Sequence, residues 1–236
     1  MPDGLLVVNK ARGLTSHDVV QIVRRRFGLR RVGHTGTLDP IAEGVLVVLV
    51  GAATRHQQAL QSQRKVYETA IQLGTQTDTG DAWGRVVRTA SVPPLTVPQI
   101  ADVLRSCVGR LTQTPPAFSA VKVQGRPLYW WTRHGMPKAV QPRTVEILAI
   151  ELLEWTPPCF TCRITCSSGT YVRTLAEEFA ARLGTIGHVK GLVRLAVGPW
   201  GLTQAVAVPW LHTASDEELR GALQPVVLPD ACASRP

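Results

Sequence analysis

Long apolar runs are absent from this chain. The longest, Val45 to Ala53, is about half the ~20 residues that a membrane-spanning helix needs. The N-terminal stretch MPDGLLVVNK has an acid where a secretory signal has bases, and its apolar part is brief. A cytoplasmic location with no membrane attachment is the expectation. Cysteine is scarce as well. Five residues, an odd number without a signal peptide, argue against a disulfide framework. CFTCRITC holds a C-x-x-C, but zinc takes about four ligands and no second pair or close histidine pair completes the set. Cys162, Ile164 and Cys166 alternate as on one face of a strand, which suits buried thiols acting as small hydrophobes. There is no Walker lysine and no G-x-G-x-x-G, so neither nucleotide fingerprint is present. No metal and no cofactor are expected. Internal repeats and low-complexity linkers are missing too. Acids are few: 17 against 26 lysines and arginines, a formal net charge of +9. That balance favours a polyanionic partner, nucleic acid before membrane, because phosphate neutralisation drives such binding.

What is present reads as a mixture of strands and helices. GLLVVNK is a first strand. TSHDVVQIVRRRFG begins at an N-cap, Thr15 or Ser16, carries an apolar stripe at Val19, Ile22, Val23 and Phe27, and stops at Gly28. VLVVLVG is apolar throughout, as a strand buried on both faces should be. VYETAIQLG is a further strand and TDTGDAWGR a turn-rich loop. TVPQIADVLRSCVG is a helix capped by Thr96, with Pro98 in its first turn and Gly109 at its end. RTVEILAIELLEW and CFTCRITC pair as strands, and GTYVRTLAEEFAARLG is a helix. GLVRLAVG is the last strand, before a tail whose SDEEL forms a capping box from Ser215 to Glu218. Strands and helices mix without strict alternation, so the fold class is α+β with a mixed, mostly antiparallel central sheet flanked by helices.

The chemistry-bearing stretch is GHTGTLDPIAEG, residues 33–44. Gly33, Gly36 and Gly44 permit close backbone approach by a ligand, and Pro40 pushes Asp39 toward an extended conformation. GHTG matches the G-x-x-G of a KH module, whose loop clamps RNA backbone. That short match leaves Asp39 unexplained, since an acid repels phosphates. Asp39 as a turn aspartate bonding loop amides is the plain structural alternative.

Several stretches, in order, resemble one family. They are NKARGLTSHDVV (with Ala11 where a proline is usual), GHTGTLDPIAEGVL, KVY at 65–67, TDTGDAWG at 77–84, PPAFSAVKVQG at 115–125, SGTYVRTLAEE ending at Glu178, and HVKGLVRLAVG at 188–198. The chain resembles the bacterial tRNA pseudouridine synthase B family, whose members isomerise the T-loop uridine at tRNA position 55. The resemblance runs from about residue 4 to 200 and implies the pseudouridine synthase fold.

It also implies residue roles. Asp39 would be the nucleophile, adding to a uracil carbon or to the ribose anomeric carbon so that one hard exchange becomes easier steps. Tyr67 would stack on the target base and take the carbon-5 proton. Arg173 would pair with Asp39, holding it ionised and oriented. Tyr171 would pack or hydrogen-bond under the uracil, Asp81 would hold the substrate or a neighbouring group, and Leu192 would wall the pocket. His34 would fill the space that a flipped-out base leaves in the RNA. Residues from about 112 to 143 would form an RNA-gripping thumb, with Lys122, Arg126 and Arg133 beside Tyr129, Trp130 and Trp131. Lys10 and Lys65 would add phosphate or pocket contacts.

The expected organisation is a catalytic domain over 1–205 with the thumb inserted, and a short helical tail over 206–236. About 36 residues follow the last motif, too few for the C-terminal PUA domain that many members carry. The expected partner is the T-arm of tRNA, with no membrane, no obligatory protein partner and a monomeric chain. Two other readings remain: a non-catalytic tRNA-binding or folding module, and an RNA-guided synthase acting on ribosomal RNA.

Overall fold

The structure, a computed structural model, describes residues 2–226 of the 236. Cys232 and the end of the expected tail lie outside the described residues. The chain forms two compact units, one made of residues up to Lys65 together with those from Val193 onward, the other of Val66–Leu192. Among the described residues no helix is long and apolar enough to cross a membrane.

The first unit opens with β1 (Gly4–Lys10), α1 (Ser16–Phe27), β2 (Val32–His34), β3 (Glu43–Val50), a 3-10 turn over Gly51–His56 and α2 (Gln57–Gln61). β1 and β3 run antiparallel, Val7 opposite Val47. Side chains alternate across a strand, and here both sides are covered. Leu6, Val8, Leu46 and Val48 face a core with Val19 and Val23 of α1. Leu5, Val7, Val45 and Val47 face a second core with Leu60 and Trp200. That explains why VLVVLV shows no polar alternation. Thr15, not Ser16, caps α1 through a capping box with Asp18, and Gly28 closes it at φ 61°.

The second unit contains β4 (Lys65–Leu73), β5 (Thr75–Thr77), β6 (Val86–Thr89), α3 (Val97–Ser106), β7 (Gly109–Gln113), β8 (Lys122–Val123), β9 (Arg126–Pro127), α4 (Leu128–Arg133), β10 (Arg143–Thr156), β11 (Cys159–Cys166), α5 (Val172–Arg182) and the first part of β12 (Gly187–Val197). β10 pairs antiparallel with β11 on one side and with β7 on the other. β4 alternates buried with half-buried residues, placing Lys65, Tyr67, Thr69, Ile71 and Leu73 on its buried face. α3 ends earlier than its sequence suggests. Cys107 caps it and Gly109 opens β7 at φ 113°, because the chain must turn straight into a strand. α5 begins at Val172 rather than near Gly169, since Tyr171 is still extended as its N-cap. Cys162, Ile164 and Cys166 are fully buried, and burial pushes the Cys162 thiol up to about 12, in keeping with structural thiols.

The chain returns to the first unit with β13 (Trp200–Gly201), β14 (Val206–Ala207), α6 (Val208–Thr213) and α7 (Asp216–Gly221). GLVRLAVG is therefore not the last strand: β13 pairs with β12, and β14 pairs parallel with β1. The Ser215–Glu218 capping box forms. Leu211 of α6 and Leu219 of α7 lie in the core around β1, β3 and α1, so the described part of the tail packs as part of this unit.

Candidate active site

Asp39 sits in the loop between β2 and β3, partly exposed, and its backbone is pinned along its length. Because Thr15 takes the capping role, the buried Ser16 hydroxyl is released for another partner. It accepts from the Leu38 N–H at 2.8 Å and donates to the Leu38 carbonyl at 3.2 Å. The Gly13 N–H donates to the Pro40 carbonyl at 2.8 Å, the Ala42 N–H to the Asp39 carbonyl at 3.0 Å, and the Thr35 N–H to the Val47 carbonyl at 3.1 Å. These bonds leave little freedom for the residue that carries the carboxylate.

Beneath the loop lies Arg194, on β12, with 1% of its surface exposed. Its Nε–H donates to the Val45 carbonyl at 2.7 Å and its Nη2–H to the Gly36 carbonyl at 3.1 Å. Its backbone pairs in parallel register with Gly44. Gly44 has φ 101°, and a Cβ there would lie 2.2 Å from the Arg194 carbonyl oxygen, so no other residue fits. Lys10 ends β1 with no exposed surface, and its Nζ donates to the carbonyls of Ala11 at 3.0 Å and Leu14 at 2.7 Å. Burial lowers its pKa from 10.5 to about 8, against the attraction of Asp39 and Glu43 and with the help of Arg194. His34 accepts the Gly36 N–H on Nδ1 at 3.3 Å, so the neutral ring carries its proton on Nε2. Burial first, then Arg194 and His17, lower its pKa to about 4. A neutral, half-buried imidazole at the start of the loop presents a flat face without repelling Arg194. Of the sequence-predicted residues, Lys10, His34 and Asp39 thus share one loop region. Lys65 is 5% exposed, and its Nζ donates to the carbonyls of Gln61 and Gln63 at 2.5 and 2.6 Å, which makes it an inward brace rather than a solvated contact.

In the second unit, Tyr67 is 7% exposed on the buried face of β4. Arg173 lies in the first turn of α5, 4% exposed. Its Nη1 donates to the Thr79 carbonyl and its Nη2 to the Phe118 carbonyl, both at 2.9 Å. Asp81 organises the loop that supplies Thr79. Its carboxylate accepts from the Thr79 hydroxyl at 2.9 Å and the Trp83 N–H at 3.0 Å, and its carbonyl accepts from the Thr77 hydroxyl at 2.7 Å. Glu177, one turn after Arg173, has its pKa raised by burial, against a hydrogen bond from Gln76 and the Arg173 charge. Tyr171 is clamped by Gln113, which is 3% exposed. The Tyr171 N–H donates to Gln113 Oε1 at 2.9 Å, and Gln113 Nε2 donates to the Tyr171 carbonyl at 3.3 Å. The Arg143 guanidinium lies 5.2 Å from the Tyr171 ring centre and reaches its hydroxyl at 3.4 Å. Leu192 is 7% exposed.

The thumb stretch is more regular than its composition suggests, with the β8–β9 hairpin running into α4. Lys122 and Arg126 are exposed. Its cations lie on its rings: Arg126 4.1 Å from the Trp130 centroid, Arg133 5.6 Å from Tyr129 and Lys138 4.6 Å from Trp131. Sequence reasoning had charge and stacking side by side; the structure couples them. It also missed Ser16 as a loop clamp, Gln113 and Arg194. The signal for Arg194 was a lone cation at an inward position of an apolar strand. An open cleft of about 300 Å³ beside Gln72, Glu154, Cys159 and Lys190 contains none of the expected site residues.

Residues 24–172 match the model of the N-terminal domain of the TruB family of pseudouridylate synthases. The chain is 43% identical, over 92% of its length, to the tRNA pseudouridine synthase B of Syntrophotalea carbinolica, and covers 71% of that protein. It is 41% identical, over 95% of its length, to that of Opitutus terrae, and covers 93% of it. Among solved structures it is similar to a chain of a Cbf5–Nop10–Gar1 complex, with TM-score 0.72 and 28% identity over 94% of this chain. A chain of an H/ACA ribonucleoprotein bound to a substrate RNA containing 2'-deoxyuridine gives TM-score 0.69 and 25% identity, again over 94% of this chain. The chain spans about 60% of the length of these two solved chains.

Proposed function

The chain belongs to the TruB family of pseudouridylate synthases, and we propose that it isomerises uridine to pseudouridine in the T-loop of tRNA, at position 55. Asp39 is the nucleophile in this reading. Its loop supports that role, because a carboxylate whose backbone is held at Leu38, Pro40 and Ala42 loses little freedom on reaching a reactive pose. The bond between uracil N1 and the ribose breaks while Asp39 is covalently attached to the nucleoside. The base turns, a bond from carbon 5 to the ribose forms, the bond to Asp39 breaks to restore the carboxylate, and the carbon-5 proton leaves as N1 regains one. Atoms and electrons balance within one nucleotide. Tyr67 stacks on the base and removes the carbon-5 proton. Arg173 is the counter-ion of Asp39, and Tyr171 and Leu192 border the uracil. His34, neutral at physiological pH, takes the place of the extruded base without adding charge to the RNA stack. The residues Lys122 and Arg126 contact phosphates, and Lys10 supports the nucleophile loop from below.

The observation that carries this reading is the Asp39 loop itself, intact in sequence and braced on three sides, in a chain so similar to proteins named tRNA pseudouridine synthase B. The catalytic unit spans 1–205 with its thumb at about 112–143, and acts on tRNA as a monomer without guide RNA or protein partner. The test is to incubate the pure chain with an unmodified tRNA transcript and map pseudouridine by position. Product at the T-loop uridine is expected. Asp39→Asn should lower the rate by roughly 10⁴-fold or more, as loss of a nucleophile does, while tRNA binding persists. An active Asn variant, or a wild-type chain that modifies no T-loop uridine, refutes the proposal. Modification that appears only with an added guide RNA favours the RNA-guided reading instead.

A further inference from the structure

Arg194 is the bulkiest of the fully buried side chains, and it stands in an otherwise apolar run, LVRLAV. A guanidinium withdrawn from water is tolerated where its N–H groups meet acceptors. The two acceptors flank Asp39, one in its loop and the other near the start of β3. Gly36, whose carbonyl takes Nη2 at 3.1 Å, lies three residues before Asp39, and Val45, whose carbonyl takes Nε at 2.7 Å, lies six residues after it. The backbone of the same arginine is paired with Gly44, so closely that even a methyl group is excluded there. One residue therefore grips the loop at its start and at its end, and ties that end to β12. Ser16 and Gly13 hold the middle of the loop, at Leu38 and Pro40.

We propose that Arg194 is a positioning residue for the isomerisation, holding the loop from Gly36 to Val45 in the one conformation that presents the Asp39 carboxylate to the nucleoside. The inference rests on the function proposed above and adds a residue to it. The rigid fork of a guanidinium suits this task, since two donors in one plane span two carbonyls. A lysine keeps the charge but is a point donor on a flexible stem. The same charge also acts on His34 and Lys10, depressing the proton affinity of both. Geometry and charge are thus separable by substitution.

The experiment compares Arg194→Lys and Arg194→Met with the wild type in three measurements. The first is the single-turnover rate of pseudouridine formation on a T-arm RNA, with RNA affinity measured alongside. The second is amide hydrogen exchange over residues 36–42. The third is the NMR titration of His34 in the free protein. Both variants should lose about a hundredfold in rate, the scale expected when a reacting group is displaced by about 1 Å, and RNA affinity should hold because Arg194 is buried. Exchange of the loop amides should quicken in both. The His34 midpoint should rise from about 4 in the Met variant while burial, the larger cause, still holds it below its ordinary range, and it should rise less in the Lys variant, which keeps a cation. A folded Lys variant with wild-type rate and wild-type loop exchange overturns the proposal. If the Met variant does not fold, the Lys variant decides. If the wild-type chain forms no pseudouridine, the isomerase reading fails, and loop exchange alone judges Arg194. Unchanged exchange then overturns it, and faster exchange sustains it as the clamp of that loop.

Discussion

Replacing Lys10 by methionine should change how stability depends on pH. The lysine has no exposed surface, and its ammonium is held by the carbonyls of Ala11 and Leu14. Burial outweighs the attraction of Asp39 and Glu43, so its pKa falls from 10.5 to about 8. Between those two values the unfolded chain keeps a proton that the folded chain has released. Stability therefore rises with pH through that window, and the contribution is lacking below pH 8. At about 1.4 kcal/mol per pH unit, the whole window is worth about 3 kcal/mol. Roughly 1 kcal/mol of it should appear between pH 7 and 9, and about 2.5 kcal/mol by pH 10. Methionine is close in length and does not titrate. Urea unfolding of both proteins at pH 7, 9 and 10 gives the difference between them, and every other titrating group, the buried thiols included, cancels in that difference. The stability of the Met variant relative to wild type should fall by about 1 kcal/mol from pH 7 to 9. The value at any single pH is not the test, because methionine also takes a donor from two carbonyls and a positive charge from the neighbourhood of Asp39 and Glu43. Parallel curves for the two proteins would show that the lysine keeps an ordinary proton affinity, and the electrostatic picture of this loop would be wrong.

Two further substitutions probe the frame. Gly44→Ala should destabilise the chain by roughly 3 kcal/mol or more, combining a strained positive φ with a backbone clash that no side-chain movement relieves. An unchanged melting temperature would contradict the close approach of β3 and β12. Gln113→Leu should cost about 1–3 kcal/mol, the scale for leaving a buried N–H unpaired, here that of Tyr171, whose carbonyl keeps the Leu175 N–H. It should also slow single-turnover modification more than it weakens RNA binding. Equal stability and equal rate would remove Gln113 from the support of Tyr171 and α5.

The parts of the molecule that were legible in the sequence are those whose causes are local. The ends of α1 follow from Thr15, Asp18 and Gly28, and the doubly buried β3 from an unbroken apolar run. Ser215 and Glu218 announce α7. Asp39, Tyr67 and Arg173 were singled out by ordered motifs, not by any physical pattern of their own. What was not legible depends on distant pairing. Ser16 reaches Leu38 across 22 positions, Gln113 meets Tyr171 across 58, and Arg194 meets Val45 across 149. No window of sequence contains both partners. Asp81 shows the same limit in milder form, since its motif marks it as important while its hydrogen bonds to Thr77, Thr79 and Trp83 show that it shapes a loop.

Yet the two deepest cations did leave a mark. GLLVVNK and GLVRLAVG are each apolar strands with one cation, Lys10 at the end of β1 and Arg194 inside β12. Such a strand offers no counter-charge of its own, and an unpaired buried cation is too costly to persist. A lone cation in an apolar strand therefore implies acceptors brought in from elsewhere. The acceptors are backbone carbonyls from other segments: the loop residues Ala11 and Leu14 for Lys10, and Gly36 of the nucleophile loop with Val45 of β3 for Arg194. Three of these four carbonyls lie where the chain leaves regular pairing, which is also where a reactive side chain can be aimed. The two cations in the strands and the acid in the glycine loop are on this argument parts of one construction. The place to look for the support of an exposed catalytic acid is then the nearest buried charge.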